Sequence, residues 1–95
     1  MIRHTGDILY NSNTELYFVV LGIYQDIDYG KIFIGYLYSN KPTFREIKKS
    51  LEDKSNLMVS CCQDELKVGN IEQLKTYILK KEFVNEDIIK GLELC

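Results

Sequence analysis

One apolar stretch constrains the fold of this chain more than any other part of it. Residues 16–24 are rich in β-branched and aromatic side chains, which predicts a β-strand. Alternation divides the strand into one face with Leu16, Phe18, Val20 and Tyr24 and another with Tyr17, Val19, Leu21 and Ile23. Because both faces are apolar, we expect a strand that is central in its sheet or covered on both sides. The run is much shorter than the roughly 18–20 residues that cross a bilayer.

Two more strands are predicted around this run. Residues 8–10 form the first, polar residues 11–14 form a turn, and residues 31–39 form the third strand after a hairpin loop at 25–30. In the third strand, Gly35 indicates a bulge or a close approach of another backbone. The third strand has two apolar faces. One face has Ile32, Ile34, Tyr36 and Tyr38, and the other has Phe33 and Leu37. Residues 1–40 therefore predict a three-stranded antiparallel meander.

The apolar period changes after residue 40. Thr43 and Glu46 have the spacing of a capping box, and Phe44, Ile47 and Leu51 have helical spacing, so a helix is expected over residues 43–53. Residues 57–62 predict a fourth strand that returns to the sheet. Asn70 and Asn85 are expected to cap a second and a third helix.

The order βββ-α-β-α-α predicts one α+β domain over residues 1–95. We expect a curled antiparallel sheet or an SH3-like barrel with the helices packed on it. The chain has 45% hydrophobic and 27% charged residues, which is typical of a folded soluble domain.

Charge argues against a dedicated nucleic-acid-binding protein. The net charge is −2 and the isoelectric point is near 5.3, whereas such proteins usually exceed about 9. Residues 41–54 form one basic stretch, with five basic and three acidic side chains. We interpret it as a solvated helix face.

The cysteines indicate a reducing compartment. Cys61, Cys62 and Cys95 are odd in number and lack the spacing of a disulfide framework. We therefore expect three free thiols and a cytoplasmic protein. Residues 1–7 contain no apolar segment of the kind found in a signal peptide.

No residue pattern predicts catalysis or a cofactor. His4 is the only histidine, so neither a Ser-His pair nor a zinc site is supported. Asp26 and Asp28 are typical of a turn, and two carboxylates provide too few ligands for calcium. We expect no catalytic residue, no metal and no cofactor.

Tyrosine is the most unusual part of the composition, since six of the seven lie within the first 38 residues. One interpretation is that they pack the sheet. The other is that a sheet face contacts a partner protein or, in a homodimer, a second copy, because tyrosine is enriched at interfaces. The candidate partner-binding residues are Tyr24, Asp26, Asp28, Tyr29, Tyr36 and Tyr38. The acidic hairpin tip would favour a basic surface on the partner.

Three segments resemble the PemK/MazF family of toxins. They are the opening Gly6-Asp7-Ile8, the strand end from Ile34 to Asn40, and residues 59–64. The resemblance implies a small SH3-like barrel that ends in helices. It also implies an endoribonuclease, with Ser39 at the position of the Ser or Thr that ends the third strand. At the position of the family's Arg-Pro pair this chain has Glu15-Leu16.

Together these observations favour a non-enzymatic, cytoplasmic protein-binding domain that binds through its tyrosine-rich sheet. By class it fits an inhibitor or accessory factor of a phage or mobile element. The alternative is a PemK/MazF-like ribonuclease or a degenerate relative, with RNA carried by the basic helix and Ser39.

Overall fold

The computed structural model describes residues 3–28, 30–55, 57–60 and 65–81. Within them the elements are β1 (Asp7–Asn11), β2 (Leu16–Asp26), β3 (Gly30–Tyr38), α1 (Phe44–Glu52), β4 (Met58–Ser60), β5 (Leu66–Asn70) and α2 (Gln73–Lys81). The strands form one antiparallel sheet in the order β4-β3-β2-β1-β5. This confirms the α+β class and the meander of β1, β2 and β3.

The turn between β1 and β2 is built by polar side chains, as the sequence predicts. The Asn11 side-chain oxygen accepts hydrogen bonds from the backbone N–H groups of Asn13 at 2.9 Å and Thr14 at 3.4 Å. Glu15 completes the turn with a φ of 58°. Its N–H donates to the Asn11 carbonyl at 2.8 Å, which starts β2 in register with β1.

A β-bulge in β2 corrects one prediction. The β2–β3 register shifts between Val20 and Gly22, so Leu21 is the extra residue. Strict alternation placed Ile23 on the face of Leu21, but the bulge moves it to the opposite face. Gly35 lies across from Val20, and a Cβ there would overlap the Val19 carbonyl oxygen. The predicted close backbone approach at Gly35 is therefore confirmed.

Helix α1 begins with the predicted capping box. The Thr43 hydroxyl accepts a hydrogen bond from the Glu46 N–H, and the Thr43 N–H donates to the Glu46 carboxylate, both at 3.3 Å. Ile47 and Leu51 are buried, and Asp53 caps the C-terminal end. The local sequence thus predicts where α1 begins, and packing of Ile47 and Leu51 in the core stabilises it.

The second half differs from the prediction. Residues 66–70 form β5 beside β1, so the order is βββ-α-ββ-α within the described residues. Asn70 pairs with Asp7 in the sheet and is not the cap of α2, which begins at Gln73. Of the fourth strand predicted over residues 57–62, residues 58–60 are confirmed, while 61 and 62 lie outside the described residues. The predicted third helix and all three cysteines also lie outside them.

Two apolar clusters lie on opposite faces of the sheet. The first joins the strands to both helices and contains Ile8, Val19, Leu21, Ile34, Tyr36, Ile47, Leu51, Leu74 and Ile78. The second contains strand residues, namely Leu9, Phe18, Val20, Ile23 and Phe33. The central strand is apolar on both faces because it serves both clusters.

The segment before β1 joins the sheet to β5 and to the start of α2. The buried Asp7 carboxylate accepts hydrogen bonds from the Asn70 amide at 2.6 Å and the His4 N–H at 2.8 Å, and it pairs with Lys67 at 3.2 Å. Gly6 has a φ of +96°, and a Cβ there would overlap the Ile71 carbonyl oxygen. The Ile71 N–H donates to the Gly6 carbonyl at 2.9 Å.

The pKa of Asp7 is lowered from its ordinary 3.8. Burial alone would raise this pKa, but the His4 and Asn70 hydrogen bonds and the charge of Lys67 outweigh it. Ionised Asp7 therefore stabilises the folded state, and this stability is present above the unfolded pKa and lost as the pH falls through the folded one.

We expect Asp7→Ala to lower the free energy of unfolding by about 1–3 kcal/mol at pH 7, because it leaves buried donors without an acceptor. Lys67→Ala is the matched control. Its side chain is 44% exposed, so its loss should be at most about 1 kcal/mol. The free energy of unfolding of both proteins would be measured with urea between pH 7 and pH 2. The difference between wild type and Asp7→Ala should become smaller as the pH falls below about 4, because Asp7 is then protonated. A constant difference over the whole range would contradict the assigned role of the carboxylate.

Thr43→Ala should remove the cap of α1 and cost on the order of 1 kcal/mol in chemical denaturation. Thr43→Ser keeps the hydroxyl acceptor and serves as the control. A cost below about 0.2 kcal/mol for the alanine variant would show that the cap contributes little to folding.

Candidate functional site

The predicted partner-binding residues lie in two separate places. Asp28 is exposed at the tip of the β2–β3 hairpin beside Ile27, which is fully exposed. Tyr24 and Asp26 occupy the end of β2 that leads to this tip. Tyr29 lies outside the described residues.

Tyr36 and Tyr38 lie instead on the helix side of the sheet, with ring centroids 6.5 Å apart. Tyr36 is 6% exposed, and its hydroxyl donates to the Ser50 and Ser55 carbonyls at 3.4 and 3.2 Å. The Tyr38 hydroxyl shares a 2.9 Å hydrogen bond with the Ser50 hydroxyl. Burial raises the pKa of both phenols, and for Tyr36 the neighbouring Tyr38 adds to the effect. Both tyrosines therefore connect β3 to α1.

The face of the sheet opposite the helices contains a groove of about 200 Å³. The described residues that line it are Asn11, Thr14, Leu16, Phe18, Leu37, Met58, Val59, Ser60 and Glu65. Its lining spans the width of the sheet, because β4 and the residue before β5 come from opposite edges. Phe18 belongs to the second apolar cluster, so the groove continues outward from a buried core.

Two large apolar side chains on the groove face are exposed to solvent. Leu37 is 42% exposed and Met58 is 46% exposed, whereas Val59 pairs with the helix-side residue Ile34, so its side chain lies on the other face. We call Leu37 and Met58 the apolar rim. Single exposed apolar residues are common, but adjacent ones around a groove are typical of a binding site. The sequence predicted these strands, yet the position of β4 at the sheet edge depends on long-range pairing.

The other side of the groove is polar. The Asn11 amide is 3.5 Å from the Glu65 carboxylate, while the Asn11 oxygen is occupied by the β1–β2 turn. Arg3 is 8% exposed and donates from one guanidinium nitrogen to the Glu65 carbonyl at 2.7 Å. Its other terminal nitrogen is buried without a hydrogen-bond partner. The groove thus has an apolar rim on the β3–β4 side and a polar side at β1 and Glu65.

The basic helix is partly engaged within the molecule. The Lys48 ammonium lies 5.4 Å from the Phe44 ring centroid and 5.2 Å from that of Tyr77, a cation–π arrangement. The Tyr77 hydroxyl donates to Glu52 at 3.0 Å. Burial and this carboxylate raise the pKa of Tyr77. Arg45 and Lys49 remain exposed.

Chemistry-bearing residues are dispersed over the part of the chain that the structure describes. It contains no group of three or more His, Cys, Asp or Glu side chains that could hold a metal. No described helix has the length and hydrophobicity to cross a membrane. Ser39 is exposed just after β3, and Glu15 is exposed in the β1–β2 turn. The groove is therefore the best-defined candidate site.

Comparison with known proteins gives no match for this chain, whether with family models, with curated proteins or with solved structures.

Proposed function

We propose that this protein is a small protein-binding domain whose binding surface is the groove beside the apolar rim. One observation carries the proposal, namely that the large apolar residues Leu37 and Met58 are exposed and line the same groove. Burying such side chains gains about 25 cal/mol per Å² of apolar surface, and a few well-buried anchors dominate most interfaces. A partner would thus gain its main contacts at this rim.

The size of the groove fits one side chain of the partner. A cavity of about 150 Å³ accommodates a benzene ring, and the groove measures about 200 Å³. A Leu, Met or Phe side chain would therefore fill most of it. The interface would then depend on one inserted anchor surrounded by weaker contacts, a pattern that alanine scanning finds in many complexes.

We also propose that the sheet is rolled as in an SH3-like barrel. Two observations support this form. Ser60 ends β4 and Leu66 begins β5, so a short connection links the two edge strands. Residues from both edges also line one groove.

We further propose that the protein is cytoplasmic, with its three cysteines as free thiols. In this proposal it acts as an inhibitor or accessory factor of a phage or mobile element.

The ribonuclease alternative has less support. By the resemblance to the PemK/MazF toxins, the exposed Glu15 stands at the position where those proteins provide an arginine. A carboxylate there would repel the phosphate backbone and could not stabilise the charge that develops during cleavage. We expect purified protein to leave total RNA intact at physiological salt. Specific cuts that vanish in Ser39→Ala and Arg45→Ala would establish the ribonuclease instead.

Leu37→Asp should weaken binding of the partner at least about tenfold, because it places a charge in the apolar contact. The partner would be isolated from the native host with the wild-type chain, and its affinity for each variant would be measured by calorimetry. Because Leu37 is partly exposed, we expect Leu37→Asp to remain folded, which circular dichroism would check.

Two control variants distinguish the groove from the other candidate surfaces. Tyr24→Ala/Tyr29→Ala tests the hairpin, and Lys49→Glu tests the basic helix. Both should keep wild-type affinity within about twofold. Loss of binding in either control, with Leu37→Asp unaffected, would move the binding surface away from the groove.

A further inference from the structure

The hairpin of β2 and β3 extends beyond its neighbouring strands. β1 pairs with β2 as far as Val19, and β4 pairs with β3 between Phe33 and Gly35. β2 and β3 continue to pair with each other out to Asp26 and Gly30. In the part of the chain that the structure describes, the end of this hairpin is therefore a two-stranded arm.

Ile27 occupies the tip of this arm and is fully exposed. Turns of this kind are usually formed by Gly, Asn, Asp, Ser or Pro. Because Ile27 is not buried within the described chain, it gains no hydrophobic stabilisation from the fold. Single exposed apolar residues are common on protein surfaces, but one at the end of an arm is placed to enter a cavity of another molecule.

The groove provides a cavity of matching size and chemistry. It measures about 200 Å³, and its lining includes the apolar residues Leu16, Phe18, Leu37 and Met58. A cavity of about 150 Å³ accommodates benzene, and the aliphatic side chain of isoleucine has fewer carbon atoms than benzene. The groove therefore has room for one isoleucine side chain.

The arm does not reach the groove of its own chain. β2 begins at Leu16, which lines the groove, and ends at Asp26, next to Ile27. The 11 residues of β2 separate the groove from the tip by roughly 30 Å, at about 3.3 Å per residue. A contact between Ile27 and the groove therefore requires a second copy of the chain.

We propose that Ile27 of one copy inserts into the groove of a second copy, and that the two copies do so reciprocally in a two-fold dimer. Ile27 and the groove lie at opposite ends of β2, so an antiparallel arrangement of the two hairpins places each Ile27 at the groove of the other copy. This inference rests on the proposed function, because it uses the same groove. It adds regulation, since the dimer must open before another partner binds.

The two-fold form is favoured over an open chain of copies. A closed dimer makes two such contacts and fills both grooves, whereas head-to-tail association leaves one groove and one Ile27 free and continues into a filament. Each contact places one side chain in one groove, and interfaces below about 1,200 Å² in total are typical of weak complexes. We therefore expect a dimer that dissociates on dilution and that a tighter-binding partner displaces.

Sedimentation equilibrium of the full chain over a range of concentrations tests the proposal. We expect a monomer–dimer equilibrium that persists at high salt, because the contact is apolar. Ile27→Asp and Leu37→Asp should each raise the dissociation constant of the dimer at least about tenfold. Lys49→Glu, on the exposed surface of α1, should leave this constant unchanged.

A mixture of Ile27→Asp and Leu37→Asp gives a sharper test. In a dimer of either variant alone, both contacts contain the substituted residue. In a mixed dimer, one contact joins an unchanged Ile27 to an unchanged groove, while the other contact contains both substitutions. Mixing should therefore restore dimer relative to either variant alone, which a defect in folding would not do.

The other outcomes separate this inference from the proposed function. A chain that stays monomeric, assemblies that keep growing with concentration, or a mixture without added dimer would overturn the two-fold dimer. The groove would then still be tested by the effect of Leu37→Asp on the partner isolated from the host, for which Ile27→Asp should keep at least wild-type affinity. If Leu37→Asp weakened neither the dimer nor partner binding, both proposals would be wrong.

Discussion

The buried carboxylate of Asp7 is the interaction on which the arrangement of the sheet depends. A buried carboxylate is costly unless it is paired and hydrogen-bonded. Here its partners come from the N-terminal segment and from both ends of β5, namely His4, Lys67 and Asn70. β5 itself is weakly anchored by apolar contacts, since Leu66 is 64% exposed. The register of β5 against β1 is therefore maintained largely by polar contacts.

A second constraint acts in the middle of the sheet. The bulge at Leu21 reverses the alternation of β2 between Val20 and Gly22, so that Ile23 joins Phe18 and Val20 in the second apolar cluster. Val19 and Leu21 pack under the helices, whereas Ile23 packs with Phe33 on the opposite face. Gly35 makes this possible, since any larger residue there would collide with the β2 backbone. The groove lies on the same face of the sheet as the second apolar cluster, and Phe18 belongs to both.

Local signals in the sequence predicted part of this structure, and long-range pairing determined the rest. The cap of α1 was predictable because Thr43 and Glu46 form a motif within one turn. β5 was not predictable, because Lys67, Gly69 and Asn70 have low strand propensity and the strand depends on pairing with β1. The residues of the candidate site also depend on long-range pairing. Tyrosine content indicated Tyr36 and Tyr38, but their hydroxyls bind α1. Met58 became a candidate only once β4 was located at the edge.

The two edge strands of the sheet are limited in different ways. Edge strands invite unwanted pairing, and proteins limit it with charges, lysines in particular, with bulges and by keeping the edge strand very short. β5 has the first two devices, since it contains Lys67 and a register shift, and the Lys41 ammonium donates to the Val68 carbonyl at 3.1 Å. β4 contains Met58, Val59 and Ser60, without a charged residue, but with three residues it is a very short edge. Neither edge strand therefore offers a long row of unpaired backbone groups. A partner at the proposed groove would gain mainly from side chains such as Met58, which is 46% exposed.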